Sequence, residues 1–208
     1  MNLQNLPNVP LPIHVIEGFL EGYKAPLQKV QAMEAKGEIT RLKRGLFIKT
    51  GQLTNLVFVA NHIYCPSYVS REYALRHYGL IPEHAHTVTS VTVKRSQTFE
   101  NSLGRFTYDH LPLEYYRLGI ELVEEEGISY LIATPEKALA DMIVLTSGLR
   151  LRYLKETESY LEDFLRIDRE ELQKLNPERF EELAQVSKKR DTLLNIAKII
   201  RQCKYTSK

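Results

Sequence analysis

Cysteine occurs only twice in 208 residues, at Cys65 and Cys203. Two thiols so far apart, in no C-x-x-C spacing, exclude a disulfide framework and a thiolate metal knuckle. No apolar run approaches the ~20 residues of a membrane helix. The N-terminal stretch lacks the cationic, apolar and small-residue order of a secretory leader, so a cytoplasmic protein is expected. A P-loop, a dinucleotide fingerprint, G-x-S-x-G and HExxH are all missing, as is the Gly-Ser…Asp-x-Asp pattern of a nucleotidyltransferase. Neither an enzymatic role nor a cofactor is expected. Internal repeats and low-complexity segments are also absent.

Charge of one sign is scarce overall, at net +2, while 43% hydrophobic residues suffice for a sizeable core. The charge is unevenly placed. Residues 1–52 hold seven Lys/Arg against four acids, residues 53–150 eight against eleven, and residues 151–208 thirteen against eleven. Basic ends around an acidic middle suit two contact regions on one polyanion. Lys188, Lys189 and Arg190 are the densest cations of the C-terminal end and are candidates for secondary phosphate contacts.

The most informative stretch is Lys24–Lys49, which reads as a helix, a turn and a basic β-ribbon. Pro26 suits a first helical turn and Gly37 the position just past a helix end. At ~100° per residue, Leu27, Val30 and Met33 form one buried stripe. The opposite face carries Gln28, Ala32, Ala35 and Lys36, flanked by Lys29 and Gln31, with Lys24 just ahead. Amides read adenine edges, a small alanine sits on a thymine methyl, and lysines reach guanine or phosphate. Arg41, Lys43 and Arg44 then run through Gly45, read as a bend or bulge, into the short buried strand Leu46–Ile48. A basic ribbon beside such a helix can hold phosphates while the helix reads bases. A surface helix that merely meets water, and a basic edge strand that only deters aggregation, are the structural alternatives.

The expected fold is α+β. An abbreviated winged helix over residues 1–52 precedes a larger α+β domain over 53–208, with a small, mostly antiparallel sheet and C-terminal helices. Met1–Pro10 reads as an arm and Pro12–Gly22 as a helix. Leu53–Tyr64 reads as a helix ended by Cys65-Pro66, and Ser70 as the cap of a helix running to Tyr78. Thr87–Val93 is strand-like. Ser96–Asn101 and Arg105–His110 flank hairpin-forming Ser102-Leu103-Gly104, and a second pair flanks the acidic turn at Glu124–Gly127. Thr134-Pro135-Glu136 opens a helix with Ala138, Leu139, Met142 and Ile143 on its buried face. Asp168 with Glu171 suggests a capping box, and Asn176-Pro177-Glu178 opens another helix. Leu193, Leu194, Ala197 and Ile200 stripe the last one.

Histidine offers the one metal candidate. His84 and His86 are two apart, with His77 and His110 available as further ligands, but that spacing is weak and no metal is expected. His62 with Cys65 at a helix end reads as packing.

Three blocks occur in order: CPSYVSREYALRHYGLIPE (Cys65–Glu83), VTSVTVKRSQTFENSLGRFTYDHLP (Val88–Pro112) and YLIATPEKALADMI (Tyr130–Ile143). With KGEITRLKRGLFI ahead of them, the chain resembles the AbiEi-family antitoxins of type IV toxin–antitoxin and abortive-infection (phage defence) systems. The similarity spans roughly Tyr23 to Leu145. It implies a winged-helix N-domain that binds double-stranded DNA at its own promoter and represses its operon. It implies a second domain that counters a nucleotidyltransferase-like toxin, functionally and without necessary contact. The alternative from the residues is a protein-binding module, with a degenerate winged helix that contacts a partner directly.

Overall fold

The computed structural model describes residues 6–51, 55–82 and 86–206. The fold is mixed α and β, with two sheets. The chain opens with a two-residue strand β1 (Leu11–Pro12), helices α1 (Ile13–Phe19) and α2 (Pro26–Ala35), and strands β2 (Ile39–Lys43) and β3 (Leu46–Lys49). These strands form an antiparallel sheet in the order β1-β3-β2. Arg44 and Gly45 make a two-residue hairpin turn, since Lys43 pairs with Leu46. Gly45 has φ +76, which a side chain resists, and its carbonyl accepts from Ile13 N at 2.9 Å, pinning the start of α1. Gly45 is thus the bend, and the bulge lies three residues earlier, at Leu42 between Arg41 and Lys43.

The ribbon faces two cores. Ile39 and Phe47 join Leu6, Ile16, Leu20, Val30 and Met33 in a small cluster under α1 and α2. Leu42, Leu46 and Ile48 point the other way and belong to the large cluster of the body. Strand alternation therefore welds the N-terminal unit to the rest of the chain. Asn101 Nδ2 reinforces that seam by donating to Leu42 O at 3.0 Å.

The body follows as α3 (Leu56–Ile63), β4 (Ser67–Val69), α4 (Arg71–His77), β5 (Thr87–Thr92), β6 (Gln97–Asn101), β7 (Gly104–His110), α5 (Leu113–Tyr116), β8 (Ile120–Glu125), β9 (Ile128–Ala133) and α6 (Pro135–Leu145). Its sheet has six strands in the order β6-β7-β5-β4-β9-β8. It is more mixed than expected: β5 with β7 and β4 with β9 are parallel. Both foreseen hairpins, β6–β7 and β8–β9, are present. Helix α3 packs against β4, β5 and β9, and Tyr108 donates to Ala60 O at 2.7 Å. Asn55 caps α3 by accepting from Val57 N and Phe58 N. The expected boundary at Gln52, the expected start of this helix at Leu53 and Thr54, and residues Met1–Asn5 of the expected arm lie outside the described residues.

Beyond Leu145 the chain is helical: α7 (Leu154–Ser159), a π-helical turn (Tyr160–Phe164), α8 (Arg169–Lys174), α9 (Pro177–Gln185) and α10 (Arg190–Thr206). Asn176 caps α9 by accepting from Glu178 N at 3.0 Å. Asp168 makes no side-chain cap on α8, contrary to the capping box read there. Arg201 grips Glu178 and Glu181, tying α10 to α9.

Candidate nucleic-acid interface

Helix α2 buries Val30 and Met33 and leaves its opposite half open. Gln28, Gln31, Ala32, Ala35 and Lys36 are exposed there, with Lys24 one turn earlier. The face carries no exposed acid; Glu34 lies half-buried on the flank. Lys29 is half-buried and sits over the Tyr23 ring, 5.6 Å from its centroid. Leu27 does not join the buried stripe: it is 54% exposed on the rim of the polar face. Helix α1 covers only the sector around Val30 and Met33, so the third residue of the stripe meets solvent.

The three ribbon cations have separate fates. Arg41 forms a two-pronged pair with Glu34 of α2, Nε to Oε1 at 2.8 Å and Nη2 to Oε2 at 2.6 Å, and lies over the Phe47 ring. Its hydrogen bond to Glu34 raises its pKa further. Arg41 thus braces β2 against α2. Lys43 is drawn inward, its Nζ donating to Ile63 O at 2.5 Å. There it caps the carbonyl end of α3, where a cation is favourable. Burial, with the Lys94 charge nearby, lowers the Lys43 pKa. Both residues, read from the sequence as phosphate contacts, thus have partners within the chain, Arg41 at the surface and Lys43 turned inward. Arg44, at the hairpin turn, is exposed.

At the C-terminal end, Lys188 and Arg190 are exposed, but Lys189 turns inward. Its Nζ donates to Ile143 O at 2.8 Å and Thr146 O at 2.7 Å, capping α6. Lys188 and Arg190 line an open cavity of about 410 Å³ with Arg150 and Arg152.

One polar cluster escaped the sequence reading. Lys137 and Asp141, one turn apart on α6, are both fully buried, with Lys137 Nζ 3.0 Å from Asp141 Oδ1. That approach is off a hydrogen-bond direction, since Oδ1 has no hydrogen-bond partner. The ammonium donates instead to Tyr115 O at 3.0 Å and lies 3.4 Å from the Tyr115 ring centroid. Asp141 Oδ2 accepts from Tyr68 OH at 2.9 Å and Ser70 Oγ at 2.7 Å. Ser70 is therefore no helix cap; its hydroxyl is committed to Asp141. Gly119 closes the site from above: a Cβ there would come within 2.8 Å of Lys137 Cβ. Burial lowers the Lys137 pKa against the pull of Asp141, and raises those of Tyr68 and Tyr115 well above the usual phenol. A buried, polar, charge-paired cluster fixes β4, α5 and α6 relative to one another. The sequence signal was a Lys and an Asp at helical spacing inside an otherwise apolar stretch.

Among the described residues the histidines do not gather into a metal-binding group. His110 Nδ1 bonds Lys94 O at 3.0 Å, His77 lies edge-on to Tyr78, and His86 is exposed. His84 lies outside the described residues. Among the described residues no group of three His, Cys, Asp or Glu could hold a metal ion, and no helix is long and apolar enough to cross a membrane. No family model matches the chain, and a search of curated proteins finds no match either.

Proposed function

We propose that residues 6–51 are a minimal winged helix that binds double-stranded DNA at the chain's own promoter, with α2 in the major groove and Arg44 on an adjacent phosphate. The protein is then a repressor of its own operon. The observation that carries this reading is the open face of α2, where amides, small side chains and lysines gather without an acid. The order strand–helix–helix–strand–strand, with β1 added outside β3, is the order a winged helix has, less its first helix. The resemblance of the middle blocks to AbiEi-family antitoxins supports the second half: the body counters a nucleotidyltransferase-like toxin. Such an antitoxin is not itself an enzyme, and it acts in the cytoplasm.

A promoter–reporter fusion tests the first half. The wild-type chain is expected to repress, and a Gln28→Ala, Gln31→Ala variant to lose repression at equal protein level. Equal repression by both would overturn the placement of α2. A growth assay with the neighbouring gene's product tests the second half, rescue being expected from the wild-type chain.

Leu27 favours a second reading. An exposed leucine on the rim of α2, with Arg41 and Lys43 engaged internally, also suits a protein-docking face. Under that reading Leu27→Ala would abolish capture of the partner, while DNA binding would be equally feeble for any duplex.

A further inference from the structure

The arginines are not evenly neutralised. Arg41, Arg71, Arg105, Arg169, Arg179 and Arg201 each have a carboxylate at salt-bridge distance. Arg150, Arg152, Lys188 and Arg190 have no carboxylate within that distance among the described residues, and all four line one cavity of about 410 Å³, with Asp191 as its single acid. Four like charges in one concavity repel one another and are costly to gather without an anion. The first turn of α10 begins in the same wall, and the leading N–H groups of a helix have no partner within it.

A second groove, of about 750 Å³, borders the cavity, Gly148 and Leu149 lining both. That groove is different in kind. Met142, Leu145, Tyr160 and Phe164 line it. Tyr160 and Phe164 stack with centroids 5.0 Å apart and planes 16° from parallel, at the two ends of the π-helical turn. Phe164 is 68% exposed, so it offers its outer face to whatever enters. Such turns are uncommon and recur at functional sites. Arg71 stands in the same wall; its outer nitrogens are held by Asp109 and Glu72, while its Nε is buried and donates to nothing.

We infer that this cavity and the groove beside it together form a binding site for a free nucleoside polyphosphate: the phosphates lie among Arg150, Arg152, Lys188 and Arg190, and the base stacks on Phe164. Phosphate charge answers the four cations, and a flat base answers an aromatic face that nothing covers. Lys189, tied to Ile143 O and Thr146 O, holds the segment before α10 in place and does not touch the ligand. The site stands apart from the α2 face, so its failure and the failure of the DNA reading are separate results.

Calorimetric titration of the full chain with ATP, tripolyphosphate and a 12-mer single-stranded oligonucleotide tests it. ATP is expected to bind at one site, with tripolyphosphate binding more weakly and displacing it. Phe164→Ala is expected to weaken ATP roughly fivefold or more and to leave tripolyphosphate unchanged, as stacking is lost and charge is not. Arg150→Ala with Arg190→Ala is expected to weaken both ligands at least tenfold. These side chains are exposed, so melting temperatures should match the parent; the displacement of ATP by tripolyphosphate needs no variant at all. Absence of ATP binding at millimolar concentration would overturn the inference, as would ATP affinity unchanged in either variant. An oligonucleotide that binds the same residues more tightly than ATP would assign the cavity to a polynucleotide backbone and overturn it too.

Discussion

Lys137 and Asp141 show how much one buried pair decides. Removing one partner leaves a charge without compensation in an apolar interior, which costs about 3–5 kcal/mol; replacing both with apolar residues of similar size is often neutral. Asp141→Ala is therefore expected to lower unfolding free energy by about that amount in urea titrations. Lys137→Met combined with Asp141→Leu should recover most of it. A second expectation concerns the phenols. Burial raises the pKa of Tyr68 and Tyr115 well above the usual value and that of Tyr116 to about 12. A hydroxyl that stays protonated in the fold but ionises in the unfolded chain contributes stability that is fully present below about pH 10 and is lost as pH rises toward the folded value. Absorbance at alkaline pH should show the exposed tyrosines titrating first. The buried ones should follow only with loss of far-ultraviolet ellipticity. Little of this cluster was legible in advance, because its members Tyr68 and Ser70 lie about seventy residues from Asp141. Ser70 was misread for the same reason: a hydroxyl before a helix normally caps it, but here a buried carboxylate competes for it.

Elements fixed by local chemistry are legible in the sequence. Thr134 caps α6 by accepting from Lys137 N at 3.2 Å, and the Asn176-Pro177-Glu178 start of α9 is found where it was expected. The hairpin β6–β7 follows from its turn and alternation. Leu27 and the ribbon cations were not legible, since helical spacing says which residues share a face but not how much of it a neighbour covers. Lys43 joins two elements. It anchors the ribbon to the end of α3, so Lys43→Ala is expected to lower the melting temperature and leave the salt dependence of DNA binding unchanged. Arg44→Ala is expected to do the reverse, lowering the slope of log K against log salt by about 0.9 for one lost phosphate contact. Calorimetric melts and anisotropy titrations at several salt concentrations separate the two.

Across the whole molecule the ribbon is the hinge of the architecture. Phe47 closes the small core, while Leu46 and Ile48 on either side of it belong to the large one. Among the described residues, seven buried side chains make a slender core for the N-terminal unit, so its stability draws on the body. Phe47→Ala is expected to cost about 3–5 kcal/mol, with hydrogen exchange rising first across α1 and α2. Leu46→Ala should instead loosen both cores in a single transition. The same welding orients α2: the helix stands on a ribbon fixed to the body, so its open face is presented at a set angle.

That open face is the centre of the account, and binding of the duplex upstream of the gene tests it most directly. Fluorescence anisotropy of that duplex would be compared with a scrambled one, for the wild-type chain and for Gln28→Ala, Gln31→Ala. Selective binding that weakens with salt, and loses its selectivity in the variant, is the expected result. Equal, feeble binding of both duplexes by both proteins would contradict DNA recognition through α2 and leave Leu27 and its neighbours as a protein-docking face.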